Sequence, residues 1–382
     1  MRRPPIRGGQ KRAAGRRPGS GLPISGGREE IMERYSRQEA FFGIGAEGQQ
    51  KLLQSRVCVI GLGALGSASA NLLARAGVGF LRIVDRDYVE LSNLQRQMLY
   101  REKDAEEAAP KAAAAAELLA EINSQITIEP VIADVNSGNI TSLIEDVDLI
   151  VDATDNVEIR LLLNEACHAL GKPWIYGGAL ASYGMTMNIL PGEDMPCYQC
   201  MFDDSVPDGE TCATAGVLGM LTSIVSSIQC TEAVKILIGS ADVRRTLLAF
   251  DIWNNEFDEM EVAKNPDCPV CGRGEYQYYG KVSGSQSASL CGRDAVQIVP
   301  ASAARVDSAS GASADLPAAA RVDFDEFAER WQACGQVTRK KFTVDLDTGR
   351  FRIKLFPDGR AIISGTSDEA KARAVYDEYV GL

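Results

Sequence analysis

Apolar runs and helical stretches alternate along most of this chain. Residues 57–60 form a short apolar run feeding glycines, residues 65–76 have helical character, and residues 80–84 are again strand-like. Pro110 opens an alanine-rich helix, because proline suits the first helical position. Strand candidates follow at 126–131, 149–151 and 173–176. This alternation predicts an α/β fold, Rossmann-like, with a mostly parallel sheet and flanking helices. The longest uncharged run, 211–231, raises the question of a membrane span. It holds seven Ser/Thr residues and a Gln, and Glu232 and Lys235 follow it, so a buried helix of a soluble protein is the better reading and no membrane is expected.

Beyond the sheet pattern, residues 298–322 are dominated by Ala, Ser and Asp and read as linker. A small α+β unit follows. It has a helical segment near 323–334, strands near 342–346 and 351–356, an Asp358-Gly359 turn, a strand at 361–364, and a last helix from about Asp368. The organisation expected is therefore a basic tail over 1–31, a main domain over 32–290, a linker over 291–322 and a C-terminal domain over 323–382. Three readings of the tail stay open: disorder, an Arg-rich organelle presequence, and translation starting at Met32, the last being preferred.

Composition narrows the function. Of 382 residues, 45% are hydrophobic, enough for a sizeable core. The net charge is −12 although residues 1–31 hold eight Lys/Arg against two Glu, so the body is strongly acidic and a poor partner for nucleic acid. No apolar stretch follows the first arginines, so no signal peptide is expected. Ten cysteines in such a chain suggest metal or redox chemistry in a reducing cytosol, hence a cytoplasmic location. The single histidine, His168, nearly excludes paired-histidine mechanisms and reads as structural.

Gly61-Leu62-Gly63-Ala64-Leu65-Gly66 lies between a predicted strand and helix, and Asp85 ends the next strand nineteen residues past Gly66. Glycines there let backbone approach a phosphate at a helix N-terminus, and the acid can hold ribose hydroxyls. The motif alone does not separate a dinucleotide from ATP. Downstream come Asp85-x-Asp87, Ser92-Asn93-Leu94-Gln95-Arg96-Gln97, Lys111, Asp152-Ala153-Thr154-Asp155-Asn156 and Arg160.

This constellation, with Arg34-Tyr35-Ser36-Arg37-Gln38 before it, resembles the ThiF/MoeB/HesA family, bacterial relatives of ubiquitin-activating enzymes. The likeness spans roughly 33–274. It implies adenylation of the C-terminal Gly-Gly carboxylate of a ubiquitin-like sulfur-carrier protein by Mg-ATP, in thiamine (thiazole) or molybdopterin biosynthesis. Attack on the α-phosphate drives negative charge onto departing pyrophosphate, so cationic clamps are needed. Arg96 and Lys111 are the candidates within one subunit. The resemblance further implies a homodimer whose partner lends Arg37, Asp155 as the Mg²⁺ ligand, and a nucleotide bed of Gly61, Gly63, Gly66, Asp85 and Asn93. A dehydrogenase needs no such cations. The rivals are the same core acting on a peptide or tRNA base, and a non-catalytic nucleotide-binding scaffold.

Cys197-x-x-Cys200 and Cys268-x-x-Cys271, separated by 67 residues, can complete a closed tetrahedral Zn²⁺ site, structural in kind; a redox dithiol is the alternative for one pair. The resemblance points to zinc too. Cys212 precedes the long uncharged helix, where a helix N-terminus can lower a thiol pKa. The resemblance implies a covalent bond from Cys212 to the carrier in some members, with sulfur otherwise arriving from a cysteine desulfurase or rhodanese. Cys58, Cys167 and Cys230 read as core. The C-terminal unit lacks a rhodanese loop around Cys334. Its Cys291–Ile298 and Phe356–Arg360 stretches resemble an extension of some thiamine-pathway ThiF-like enzymes.

Overall fold

The computed structural model describes residues 28–192, 194–202, 215–281, 287–289, 294–298, 300, 322–357 and 359–381. The main sheet has eight strands: β1 (Arg56–Ile60), β2 (Phe80–Val84), β3 (Thr127–Val131), β4 (Leu149–Asp152), β5 (Trp174–Leu180), β6 (Tyr183–Ile189), β7 (Leu247–Asp251) and β8 (Glu256–Met260). Their order is β3-β2-β1-β4-β5-β6-β7-β8. The first five are parallel, and β6 to β8 continue the sheet antiparallel. The mostly parallel α/β sheet expected from the sequence is present; its antiparallel wing is an addition.

Parallel strands covered by helices on both faces must be apolar at successive positions. β1 shows how. Val57 and Val59 join one core with helices Ala64–Ala76, Lys111–Ile122 and Gly219–Ile238, while Cys58 and Ile60 join the opposite core with helices Ile140–Ile144 and Val157–Leu170. Cys58 and Cys167 fall in the second core and Cys230 in the first; burial pushes the Cys58 and Cys230 thiols up to about 12.

The long helix starts at Gly219, later than the uncharged run suggests, and continues past Glu232 and Lys235 to Ile238. It is long and apolar enough to cross a membrane by composition, yet it packs on helix Ala64–Ala76 and on β4, β5 and β6. Its two charges are accommodated internally: Glu232 accepts from Asn188 Nδ2 at 2.6 Å and Lys235 Nζ at 2.7 Å. Gln229 Nε2 donates to Asp152 O (2.8 Å) and Ile175 O (3.2 Å), tying the helix to the ends of β4 and β5.

A second, antiparallel sheet combines β9 (Ser287–Ser289), β10 (Ala295–Ile298), β11 (Gln336–Arg339), β12 (Val344–Asp347), β13 (Arg352–Leu355) and β14 (Ala361–Ser364) in the order β11-β12-β13-β14-β10-β9. Helices Phe324–Trp331 and Glu369–Tyr379 cover one face, with Trp331, Val375 and Tyr376 packed on Val296, Ile353 and Ile363.

Three boundaries need correction. Residues 287–289 and 295–298, which the sequence reading divides between main domain and linker, are strands of the C-terminal sheet: β10 pairs with β14 and buries Val296 and Ile298. A four-residue strand beside an Ala/Ser-rich stretch is too short to declare a period. The first helix is Arg28–Glu39 and runs through Met32, so residues 28–31 are not tail; residues 1–27 lie outside the described residues. Pro110 is the cap before helix Lys111–Ile122, at φ −57° and ψ 134°, and not its first helical residue.

Candidate functional site

The glycine turn sits where β1 ends and helix Ala64–Ala76 begins. Gly61 has φ +88°, and a Cβ there would lie 2.7 Å from Ala153 O; a Cβ on Gly66 would lie 1.8 Å from Gly61 O. Both glycines are thus demanded by packing between β1, the helix and the end of β4. Gly63 is different. A Cβ on it would have Gln97 Nε2 as its nearest neighbour, at 3.9 Å, so space remains above the turn. Gly63 is also the N-cap and supplies no side-chain partner to the first helical N–H groups. A phosphate can therefore reach them.

Asp85 follows β2 and lies against this turn. Its Oδ2 accepts from Leu62 N at 2.6 Å and its Oδ1 from Asp87 N at 2.7 Å. Burial raises its pKa, against the opposing pull of the Lys111 charge. Lys111 is only 6% exposed, and its Nζ stands 3.1 Å from Asp87 Oδ2. Burial alone would lower the Lys111 pKa, but Asp87, Asp85 and then Asp155 raise it, so the ammonium stays charged and lies in the field of all three acids. The loop after β4 is rigidly set. Arg160 Nε donates to Asp152 Oδ2 (3.1 Å), and its Nη2 donates to Thr154 O and to Gly177 O (3.0 Å). Asp152 Oδ1 accepts from Thr154 N and Oγ1, and Asn156 caps helix Val157–Leu170. Asp155 is left exposed in the middle.

The structure thus gathers Gly61, Gly63, Gly66, Asp85, Lys111 and Asp155 at one edge of the parallel strands. Arg96 is half-buried and donates to Ser92 O at 2.9 Å; its Cα would be 3.5 Å from a Cβ on Gly219, so it sits at the start of the long helix. Asn93 is buried and its Oδ1 accepts from Glu90 N at 3.0 Å, which makes it a cap of the short turn Leu91–Asn93. Arg37 is not brought to the turn within this chain. Its helix is fastened at the far end of helix Ala64–Ala76: Gln38 Nε2 donates to Ala76 O at 2.9 Å, and the Tyr35 ring packs where Gly77 has no side chain. That end is about 20 Å from Gly63 by helix rise. Cys212 lies outside the described residues, and the helix begins seven residues after it.

Two further residues of the quoted constellation belong to this edge, and the sequence reading assigned neither of them a role. Asp87 is the direct ion-pair partner of Lys111. Gln97 is 4% exposed beside Gly63, and its Oε1 has no hydrogen-bond partner among the described residues. Gln97 belongs to the quoted motif, but nothing in the motif says which of its members faces the turn.

Away from the turn, the Sγ atoms of Cys197, Cys200, Cys268 and Cys271 lie within 4.8 Å of one another, with Cys197–Cys268 at 3.6 Å and Cys200–Cys271 at 3.4 Å. A tetrahedral site with metal–sulfur bonds of about 2.3 Å has an edge of about 3.8 Å, so four thiolates here fit one ion. Asn164 orients the centre, donating to Cys197 Sγ (3.5 Å) and accepting from Tyr198 N (3.1 Å). His168 is not a ligand; its Nδ1 pairs with Tyr276 Oη at 2.9 Å. Glu165, 2% exposed, accepts from the backbone N–H groups of Gln277, Tyr278 and Tyr279 at 2.7–2.8 Å, pinning the chain after the second knuckle. Glu165→Ala removes the charged acceptor of three part-buried backbone donors and should destabilise the protein by about 2 kcal/mol in urea unfolding. An unchanged midpoint would show that this carboxylate is dispensable.

The ThiF family model matches residues 35–270. Among curated proteins, the chain is 41% identical to the sulfur carrier protein ThiS adenylyltransferase of Bacillus subtilis over 350 residues, 91% of this chain and 99% of that one. It is 39% identical to the molybdopterin-synthase adenylyltransferase of Salmonella typhimurium, over 64% of this chain and 98% of that one. Among solved structures, Escherichia coli MccB superposes with a TM-score of 0.56 at 20% identity, covering 63% of this chain and 74% of that one, a likeness of fold.

Proposed function

Because this chain belongs to the ThiF family, we propose that it is an ATP-dependent adenylyltransferase that activates the C-terminal glycine carboxylate of a ubiquitin-like sulfur-carrier protein and releases pyrophosphate. The observation that carries the reading is the convergence of Lys111 with Asp85, Asp87 and Asp155 at the glycine turn, in a chain 41% identical to a ThiS adenylyltransferase. The Bacillus relative aligns over 350 residues, well past the 35–270 core. The molybdopterin-route relative stops at 64% of the chain. That difference favours a ThiS-type carrier.

In this reading the glycine turn holds the phosphates of ATP and Asp85 faces the ribose. Lys111 and Arg96 balance the charge that grows as pyrophosphate departs, each worth on the order of 10²–10³ in rate. Asp155 would hold Mg²⁺, which offsets triphosphate charge when bound. Arg37, fastened far from its own glycine turn, serves a neighbouring subunit, so the working unit is a homodimer. The four cysteines hold a structural Zn²⁺. Cys212 is the candidate for a covalent bond to the carrier, with a cysteine desulfurase or rhodanese as the alternative sulfur source, and the reaction belongs in the cytoplasm.

The test is ATP–pyrophosphate exchange by the purified chain with a small ubiquitin-like protein ending in Gly-Gly. Exchange should require that protein and vanish when its last two residues are removed. Equal exchange with the truncated protein would overturn the assignment.

A further inference from the structure

We propose that the C-terminal unit braces the acid loop of the nucleotide site, with Arg360 as the positioning residue, so that ATP affinity depends on a segment outside the adenylating core. The inference rests on the adenylation reading above. Arg360 is 4% exposed, and its Nη1 donates to Arg86 O at 2.8 Å, across 274 positions of sequence. Arg86 lies between Asp85 and Asp87, whose carboxylates meet Leu62 N and Lys111.

Tyr88 completes the grip. Its ring stands 5.5 Å from the Phe356 ring and 4.4 Å from Lys354 Nζ, and it packs on Ala295, Phe356 and Ile362, which form a small buried cluster. On its other side Tyr88 forms a β-bridge with Pro110, and Lys111 N donates to Asp87 O at 2.9 Å. Residues 85–88 are therefore held between the start of the lysine helix and the C-terminal sheet. The brace is itself anchored. Phe356 N donates to Arg360 O at 2.9 Å, and Tyr376 Oη, from the last helix, donates to Gly359 O at 2.7 Å. Losing Arg360 frees the Arg86 carbonyl and lets the Asp85 carboxylate drift from the glycine turn and the Asp87 carboxylate from Lys111, which weakens nucleotide binding before it touches the chemical step.

The experiment uses the full chain. Binding of Mg-ATP without carrier is measured by calorimetry, and KM for ATP, KM for carrier and kcat by carrier-dependent exchange. Arg360→Ala should raise the Kd and KM for ATP about tenfold while KM for carrier and kcat hold. Arg360→Lys, which keeps one donor, should recover part of the loss. Tyr376→Phe, which removes only the hydroxyl anchoring the turn, should show a smaller rise in the same constants. Unaltered ATP affinity in Arg360→Ala, or a fall in kcat tracking the folded fraction with KM for ATP unmoved, would overturn the brace while leaving adenylation intact. Wild-type protein that binds no Mg-ATP would overturn both.

Discussion

Asp155→Ala should lower carrier-dependent ATP–pyrophosphate exchange by at least about 10³-fold while leaving the thermal midpoint unchanged. The asymmetry follows from its setting. Asp155 is exposed, so its loss removes no packing, whereas its neighbours do the structural work: Asp152 with Arg160, Thr154 with Asp152, and Asn156 at the helix cap. What disappears is the negative charge beside Lys111 and, in our reading, the metal ligand. Asp155→Asn keeps the shape without the charge and should be nearly as inactive. Full exchange in either variant would remove Asp155 from the mechanism.

Cys268→Ser should abolish bound zinc and lower the thermal midpoint by roughly 10 °C, and a strong chelator should do the same to the unaltered protein. Cys268 is 1% exposed and 3.6 Å from Cys197, so the substitution removes a buried ligand that joins the two knuckles. Metal analysis that finds no zinc in the unaltered protein, together with an unshifted midpoint in the variant, would leave the cysteines as an ordinary thiol cluster.

The parallel half of the fold was readable because strands buried on both faces are written as apolar runs, and the glycine motif marks the crossing from strand to helix. The antiparallel wing was not. β8 reads Glu-Phe-Asp-Glu-Met with every residue exposed, so it advertises no buried face. The cysteine knuckles were readable from spacing alone, since two Cys-x-x-Cys pairs leave few geometries. Asp87 was harder. Its role exists only because Tyr88 pairs with Pro110, which delivers Lys111 from 24 positions away. The C-terminal unit's start was misplaced for a similar reason, since β10 is defined by its partner β14 and not by its own four residues.

The knuckle pairs also have a topological meaning. The stretch between Cys200 and Cys268 contains the long helix and both strands of the outer hairpin. An ion at the four sulfurs closes that stretch into a ring, a constraint that in a chain-entropy view removes about 4 kcal/mol of freedom from the unfolded ensemble. With such an ion bound, a single nick inside the ring would leave two fragments clasped at the sulfurs and by the strand pairing that spans the cut, β6 with β7 or β7 with β8 according to its place, so the outermost wing would stay on the molecule even where its polypeptide is cut.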